Sequence, residues 1–251
     1  MNTILLYQWE QVLGKRLPSL NSWQQANVSL FSYGIVRAES CQQGAVSRQV
    51  VSGERVESAA RRWRRFLNNE SFPLEGFFRE WSRWVLSALG KEEVTLLVDE
   101  TKLYEKHGVM MVGVAWGGRC LPLAWRTYRA NSHEAYPAEG QVGMIEGLLK
   151  QVAAGVPDGC SVLVLADRGI GTSPALCQAV ARLGWRYLFR VTCQTKIETE
   201  QGALTIAQQV QPGEIWAACG RIFKKRGHLP AHARALWSPG YEEPWALVTN
   251  D

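Results

Sequence analysis

The sequence predicts an α/β protein: a mixed sheet with flanking helices, an N-terminal helical region and a β-rich stretch at the C-terminal end. Three observations carry this. Residues 1 to about 90 hold apolar side chains at helical spacing. From Val94 onward the pattern changes to short aliphatic and β-branched runs. Those runs come first as a hairpin-linked set and then alternate with helical stretches, which calls for a mixed sheet with helices on its faces.

Each element follows from its residues. Trp9, Val12 and Leu13 fall on one helical face. Residues 56–68 form a strong amphipathic helix with Val56, Ala59, Ala60, Trp63, Phe66 and Leu67 on one side. Phe77, Phe78, Trp81, Trp84, Val85 and Leu89 continue the pattern until Gly90 ends it. Residues 94–98 then make a compact strand expected to stop at Asp99. A second strand covers 109–116, Gly117-Gly118 is a hairpin turn, and a third strand covers 121–127. A helix over 141–152, a fully apolar strand over 161–166, a helix opened by Pro174 and a strand over 185–192 follow. Three hairpin-joined strands, then helix, strand, helix, strand, is the order of a ribonuclease-H-like domain. Past Thr192 come short strand-like pieces at 203–206, 215–219, 233–237 and 246–249. The expected organisation is therefore a helical region over 1–90, a ribonuclease-H-like core over 91–192 and a β-rich insertion over 193–251.

Composition narrows the class. At 251 residues the chain can hold one sizeable core, or a core with a smaller helical attachment. A net charge of +5 permits an anionic partner without requiring one. The longest apolar run, 108–116, is too short to cross a bilayer, and no basic stretch with a small-residue cleavage site opens the chain. No membrane association is expected. Six dispersed cysteines without a Cys-x-x-Cys pair are expected to be reduced thiols, hence a cytoplasmic location. Eleven tryptophans, several beside arginines, are expected to serve core packing.

Two aspartates follow predicted apolar strands: Asp99 in Leu97-Val98-Asp99-Glu100-Thr101, and Asp167 in Leu165-Ala166-Asp167-Arg168-Gly169. In a sheet of this order the first and fourth strands are neighbours, so both carboxylates converge at one edge. Hard cations such as Mg²⁺ take oxygen ligands, commonly one or two carboxylates plus substrate phosphate. A pair of them stabilises the attacking and leaving oxygens of phosphoryl transfer. An aspartate after a strand also commonly caps the next loop. It is the pair, in this strand order, that points to a metal.

The segments Leu97-Val98-Asp99-Glu100-Thr101, Ala166-Asp167-Arg168-Gly169-Ile170-Gly171 and Tyr187-Leu188-Phe189-Arg190-Val191 resemble three blocks of DDE-type insertion-sequence transposases. The closest group is the family named after insertion sequence four, whose catalytic domain carries a β-strand insertion before its last acid. Arg61-Arg62-Trp63-Arg64-Arg65-Phe66-Leu67-Asn68 resembles the helix before the first acid, and Trp245-Ala246-Leu247-Val248-Thr249-Asn250 the strand that closes the insertion. The likeness covers roughly residue 55 to the end. It implies bacterial, nucleoid-associated DNA transposition: Asp99 and Asp167 would hold two Mg²⁺ ions, with Mn²⁺ as a substitute, for hydrolysis and strand transfer at insertion-sequence ends. Partners would be the double-stranded DNA of those ends and of the target, with a homodimer on DNA as one arrangement. The family's third ligand is a glutamate in a Tyr-x-x-Arg-x-x-x-Glu-x-x-x-x-x-x-Lys setting. No such pattern occurs here, so the expectation is a catalytic region truncated before its third acid, its core incomplete after 251. Glu242 and Glu243 precede the last strand, and Glu100 points away from Asp99 if the strand continues.

Phosphate contacts are expected from Arg61, Arg62, Arg64 and Arg65, four guanidinium groups within about one and a half helical turns. Flanking glutamates make a solvated helix face the alternative. Lys224-Lys225-Arg226 is a second basic candidate, and by resemblance Arg190 would face DNA phosphate. His228-Leu229-Pro230-Ala231-His232 invites a zinc reading, but Pro230 bars a regular helix and no cysteine pair lies near. Two alternatives stay open: a catalytically inactive DNA-binding remnant of a transposase, and a metal-dependent nuclease of the same fold.

Overall fold

The computed structural model describes residues 3–51, 55–104, 106–130, 136–225 and 227–251. The chain divides into two units between Trp84 and Val85, ahead of the boundary expected after residue 90.

The first unit is helical: α1 (Thr3–Arg16), α2 (Ser22–Ala38), α3 (Gln43–Val50), α4 (Arg55–Leu67) and most of α5 (Leu74–Leu89). Asn21 opens α2 with reciprocal bonds: its Oδ1 accepts from the Gln24 N–H at 2.9 Å, and Gln24 Oε1 accepts from the Asn21 N–H at 3.0 Å. Leu13, Leu17 and Leu20 are buried among Trp9, Phe72, Phe77, Trp81 and Trp84. A second cluster joins Phe31, Val46 and Trp63, with the Phe31 and Trp63 rings edge-on at 3.8 Å. Ala59 and Trp63 thus bury the apolar face read from the sequence, whereas Leu67 at its end is exposed.

The second unit is a mixed α/β layer built on one ten-stranded sheet. Its strands are β1 (Glu93–Leu103), β2 (His107–Trp116), β3 (Arg119–Arg129), β4 (Ser161–Ala166), β5 (Arg186–Val191), β6 (Lys196–Thr199), β7 (Gly202–Thr205), β8 (Ile215–Ile222), β9 (Leu229–Leu236) and β10 (Trp245–Thr249). The helices are α6 (Gly140–Ala153), α7 (Arg168–Gly171) and α8 (Pro174–Arg182). The order across the sheet is β3-β2-β1-β4-β5-β10-β9-β8-β6-β7, with β1, β4 and β5 parallel and the other pairings antiparallel. The segment past Thr192 is therefore no separate layer: β10 pairs with β5 and carries β9, β8, β6 and β7 onto the same sheet.

Local chemistry explains the turns and stops. Gly117 and Gly118 both have positive φ, 55° and 74°, as the tight β2–β3 hairpin requires. A bulge at Val112/Gly113 accommodates Pro122 on the edge strand β3. Gly90, at φ 59°, follows the end of α5. The strand expected to stop at Asp99 runs four residues further, because Asp99 to Leu103 pair with His107 to Met111 across a hairpin.

Alternation sets the two faces of the sheet. Leu96, Val98, Val164, Ala166, Tyr187 and Phe189 are buried on one face, as are Met144, Ile145, Leu148 and Leu149 of α6. Gln141 of α6 donates to Glu100, which shares the parity of Leu96 and Val98, so α6 lies on that face. The other face carries Leu97, Leu163, Leu165, Leu188 and Leu247, all only half-buried.

Candidate active site

Asp99 and Asp167 come together through strand register. Val98 pairs with Ala166, and Ala166 pairs with Phe189. One residue further along each strand lie Asp99, Asp167 and Arg190, side by side on the half-buried face. Arg190 continues the row to Leu247 of β10 and Arg234 of β9. Asp99 and Asp167 line one pocket of about 280 Å³, with Leu97, Met111, Cys120 and Leu165 among its walls.

Each carboxylate keeps one oxygen free. Asp99 Oδ2 accepts from Thr101 Oγ1 at 3.1 Å. Asp167 Oδ1 accepts from the Ile170 N–H at 3.1 Å and so caps α7, the loop role open to any aspartate after a strand. From the described residues, Asp99 Oδ1 and Asp167 Oδ2 accept no hydrogen bond. Burial pushes the Cys120 thiol above its ordinary value, and the Asp99 charge adds to the shift. Cys120 is a protonated, neutral neighbour of the acids.

Among the described residues no third acid joins them. Among the described residues no group of three or more His, Cys, Asp or Glu side chains is placed to hold a metal. Glu100 faces the helix side, where it takes hydrogen bonds from the Tyr128 hydroxyl and, at 2.6 Å, from Gln141 Nε2. Burial first and then Glu100 push the Tyr128 hydroxyl up.

Glu243 is the residue sequence order hid. Its Oε1 lies 2.7 Å from Arg168 Nη1 and 3.0 Å from Arg190 Nη2. Its Oε2 accepts from Cys193 Sγ at 3.4 Å. The Arg190 guanidinium also lies over the Trp245 ring, 4.9 Å from its centroid. Burial raises the Cys193 thiol, and the Glu243 carboxylate raises it further.

The basic candidates separate. On α4, Arg61, Arg64 and Arg65 are exposed, with Arg61 3.5 Å from Glu57. Arg62 instead turns inward, its Nε donating to Asn27 Oδ1 at 2.7 Å. Arg62 is half-buried and tied to a buried amide oxygen that needs a donor, unlike the three exposed arginines. Lys224 Nζ lies 2.5 Å from Glu198 Oε1 and Lys225 is exposed. Arg226 lies outside the described residues. Lys224 and Lys225 line a pocket of about 490 Å³ together with Lys196, Arg221 and Phe223. Lys196 gave no sequence signal, since only the β6–β8 pairing brings it beside Arg221 and the basic run. His228 and His232 go to different partners. His228 Nε2 lies 2.7 Å from Glu198 Oε2 without hydrogen-bond geometry, and His232 Nδ1 lies 3.2 Å from Cys219 Sγ.

No family model matches the chain. No curated protein matches it either. Among solved structures it is similar to endonuclease V of Ciona intestinalis, bound to a DNA containing an inosine, at 13% identity and a TM-score of 0.33, covering 61% of this chain and 69% of that one. Endonuclease V of Bacillus subtilis is similar at 12% identity and a TM-score of 0.32, covering 72% and 78%. Likeness at that level assigns neither chemistry nor substrate. No helix among the described residues is long and apolar enough to cross a membrane, and all six cysteines are free thiols.

Proposed function

We propose that the second unit is a ribonuclease-H-like catalytic region of the insertion-sequence transposase kind, acting on DNA phosphodiesters with Mg²⁺. The observation that carries this is the pairing of Val98 with Ala166, which brings Asp99 of β1 and Asp167, the residue after β4, into one pocket. The order β3-β2-β1-β4-β5, an antiparallel meander joined to parallel strands, supports the fold reading.

The donor set suits a hard divalent cation. Two carboxylates each offer an oxygen that no donor among the described residues occupies, and Mg²⁺ keeps several waters when few protein ligands are present. Asp99 and Asp167 would hold it, and it would supply charge stabilisation at the reacting phosphate. Arg61, Arg64 and Arg65 would neutralise backbone phosphates in a sequence-independent way.

One observation favours a second reading, a DNA-binding form without catalysis: no third acid stands beside the pair among the described residues. A plasmid-nicking assay in Mg²⁺ or Mn²⁺, run beside duplex binding and metal calorimetry, separates the two. Nicking that Asp167→Ala abolishes supports the catalytic reading. Duplex and metal binding without nicking supports the inactive one. Absence of both duplex and metal binding would remove the chain from this class.

A further inference from the structure

Two arginines that close on Glu243 lie near the acid pair. Arg168 directly follows Asp167, and Arg190 directly follows Phe189, the β5 partner of Ala166. Both guanidinium groups converge on one atom, Glu243 Oε1, at 2.7 and 3.0 Å. Two guanidinium groups thus share a single carboxylate oxygen. A phosphodiester offers two non-bridging oxygens and the same single negative charge. It can give one oxygen to each guanidinium, a better geometric match than a shared oxygen.

We infer that Arg168 and Arg190 form a seat for a nucleic-acid backbone phosphate beside the acid pair, and that Glu243 fills it until that phosphate displaces it. The inference rests on the DNA reading above. Three features make the exchange feasible. Glu243 and Arg168 have about half their side-chain surface in solvent, at 45% and 52%, and ion pairs that exposed hold weakly. The Trp245 ring keeps Arg190 in place when the carboxylate leaves. Glu243 itself stands on the short connection between β9 and β10, outside regular structure. The seat would fix a phosphate next to Asp99 and Asp167, while Glu243 would keep other anions out of it.

The test uses the full chain without divalent ions, comparing wild type, Glu243→Gln and a triple variant that adds Arg168→Gln and Arg190→Gln. A fluorescent duplex is titrated by anisotropy, and inorganic phosphate is titrated while the arginine Nε–H resonances are followed. Glu243→Gln should tighten duplex binding about threefold or more, and the gain should vanish in the triple variant. Phosphate should shift the Arg168 and Arg190 resonances of Glu243→Gln at a concentration about threefold or more below that for wild type. Unchanged or weaker duplex binding by Glu243→Gln overturns the inference, as does a gain that persists in the triple variant. If no form binds duplex, the DNA reading fails, and the phosphate titration decides the seat alone: a shift at lower concentration keeps it as an anion site, and none removes it.

Discussion

Arg62 Nε donates a 2.7 Å hydrogen bond to Oδ1 of Asn27, a side chain with no exposed surface, and so ties α4 to α2. The other amide group of Asn27 is already engaged, its Nδ2 donating to the Trp23 carbonyl at 2.6 Å. The four arginines of this helix therefore have two different jobs. Arg62→Ala should destabilise the helical unit by roughly 1–3 kcal/mol, because it strands a buried acceptor, and leave the salt dependence of duplex binding unchanged. Alanine at Arg61, Arg64 or Arg65 should leave stability within about 0.5 kcal/mol of wild type. Each should lower the log–log salt slope of duplex binding by about 0.9 per lost phosphate contact. Denaturant melts and salt titrations of the four single variants check both halves.

Asp167 also has two jobs, and they separate by substitution. Asp167→Ala should lose both the metal and the α7 cap, the second costing about 1 kcal/mol. Asp167→Asn keeps an oxygen for the Ile170 N–H and should lose only the metal. Calorimetry with Mn²⁺ should show no binding to either variant, whereas thermal melts should show a drop for the alanine variant alone. Equal metal affinity in wild type and both variants would exclude Asp167 from the site.

The Lys224 ammonium beside Glu198 holds its carboxyl below the ordinary 4.5, with His228 adding to the effect against partial burial. A carboxyl whose folded value is lowered contributes stability above its unfolded value and loses it as pH falls through the folded one. The melting-temperature difference between wild type and Glu198→Gln should thus be constant above about pH 4.5 and shrink towards zero below it. A difference that grows on acidification would show that the pair does not form.

Thiol reactivity should rank by burial. Cys177 is buried and its thiol is pushed up to about 11, while Cys41 and Cys219 are exposed. Iodoacetamide at about pH 8 should modify Cys41 and Cys219 first and Cys177 last. In denaturant all six should react alike, and mass spectrometry of timed samples reads the order.

Sequence reasoning reached the sheet best where burial dictates composition. The strand at 161–166 was legible to the residue, since both of its ends are marked by a change from apolar to polar. The continuation of β1 past Asp99 was not, because Glu100, Thr101 and Lys102 are polar and are held by the hairpin partner. Strand β6 holds one aliphatic residue, Ile197, and α7 is a single turn, so neither carries a periodic signal. The neighbouring positions of Asp99 and Asp167 followed from strand order. The inward turn of Arg62 depends on a residue 35 positions away, and Glu243 meets Arg190 across 53 positions, distances at which local pattern says nothing.

The pairing of β10 with β5 has a consequence for synthesis on the ribosome. Residues 186–191 emerge and pair with β4 on one side, but their other side stays a row of unpaired N–H and C=O groups while 192–244 are made. Open edges of that kind recruit other strands. The β6–β9 array cannot cover the edge in the meantime, because its place in the sheet is reached only through β10. Chains released after Pro244 should therefore be more easily cleaved by protease and more adhesive than chains that include β10, the strand that seals the centre of the sheet.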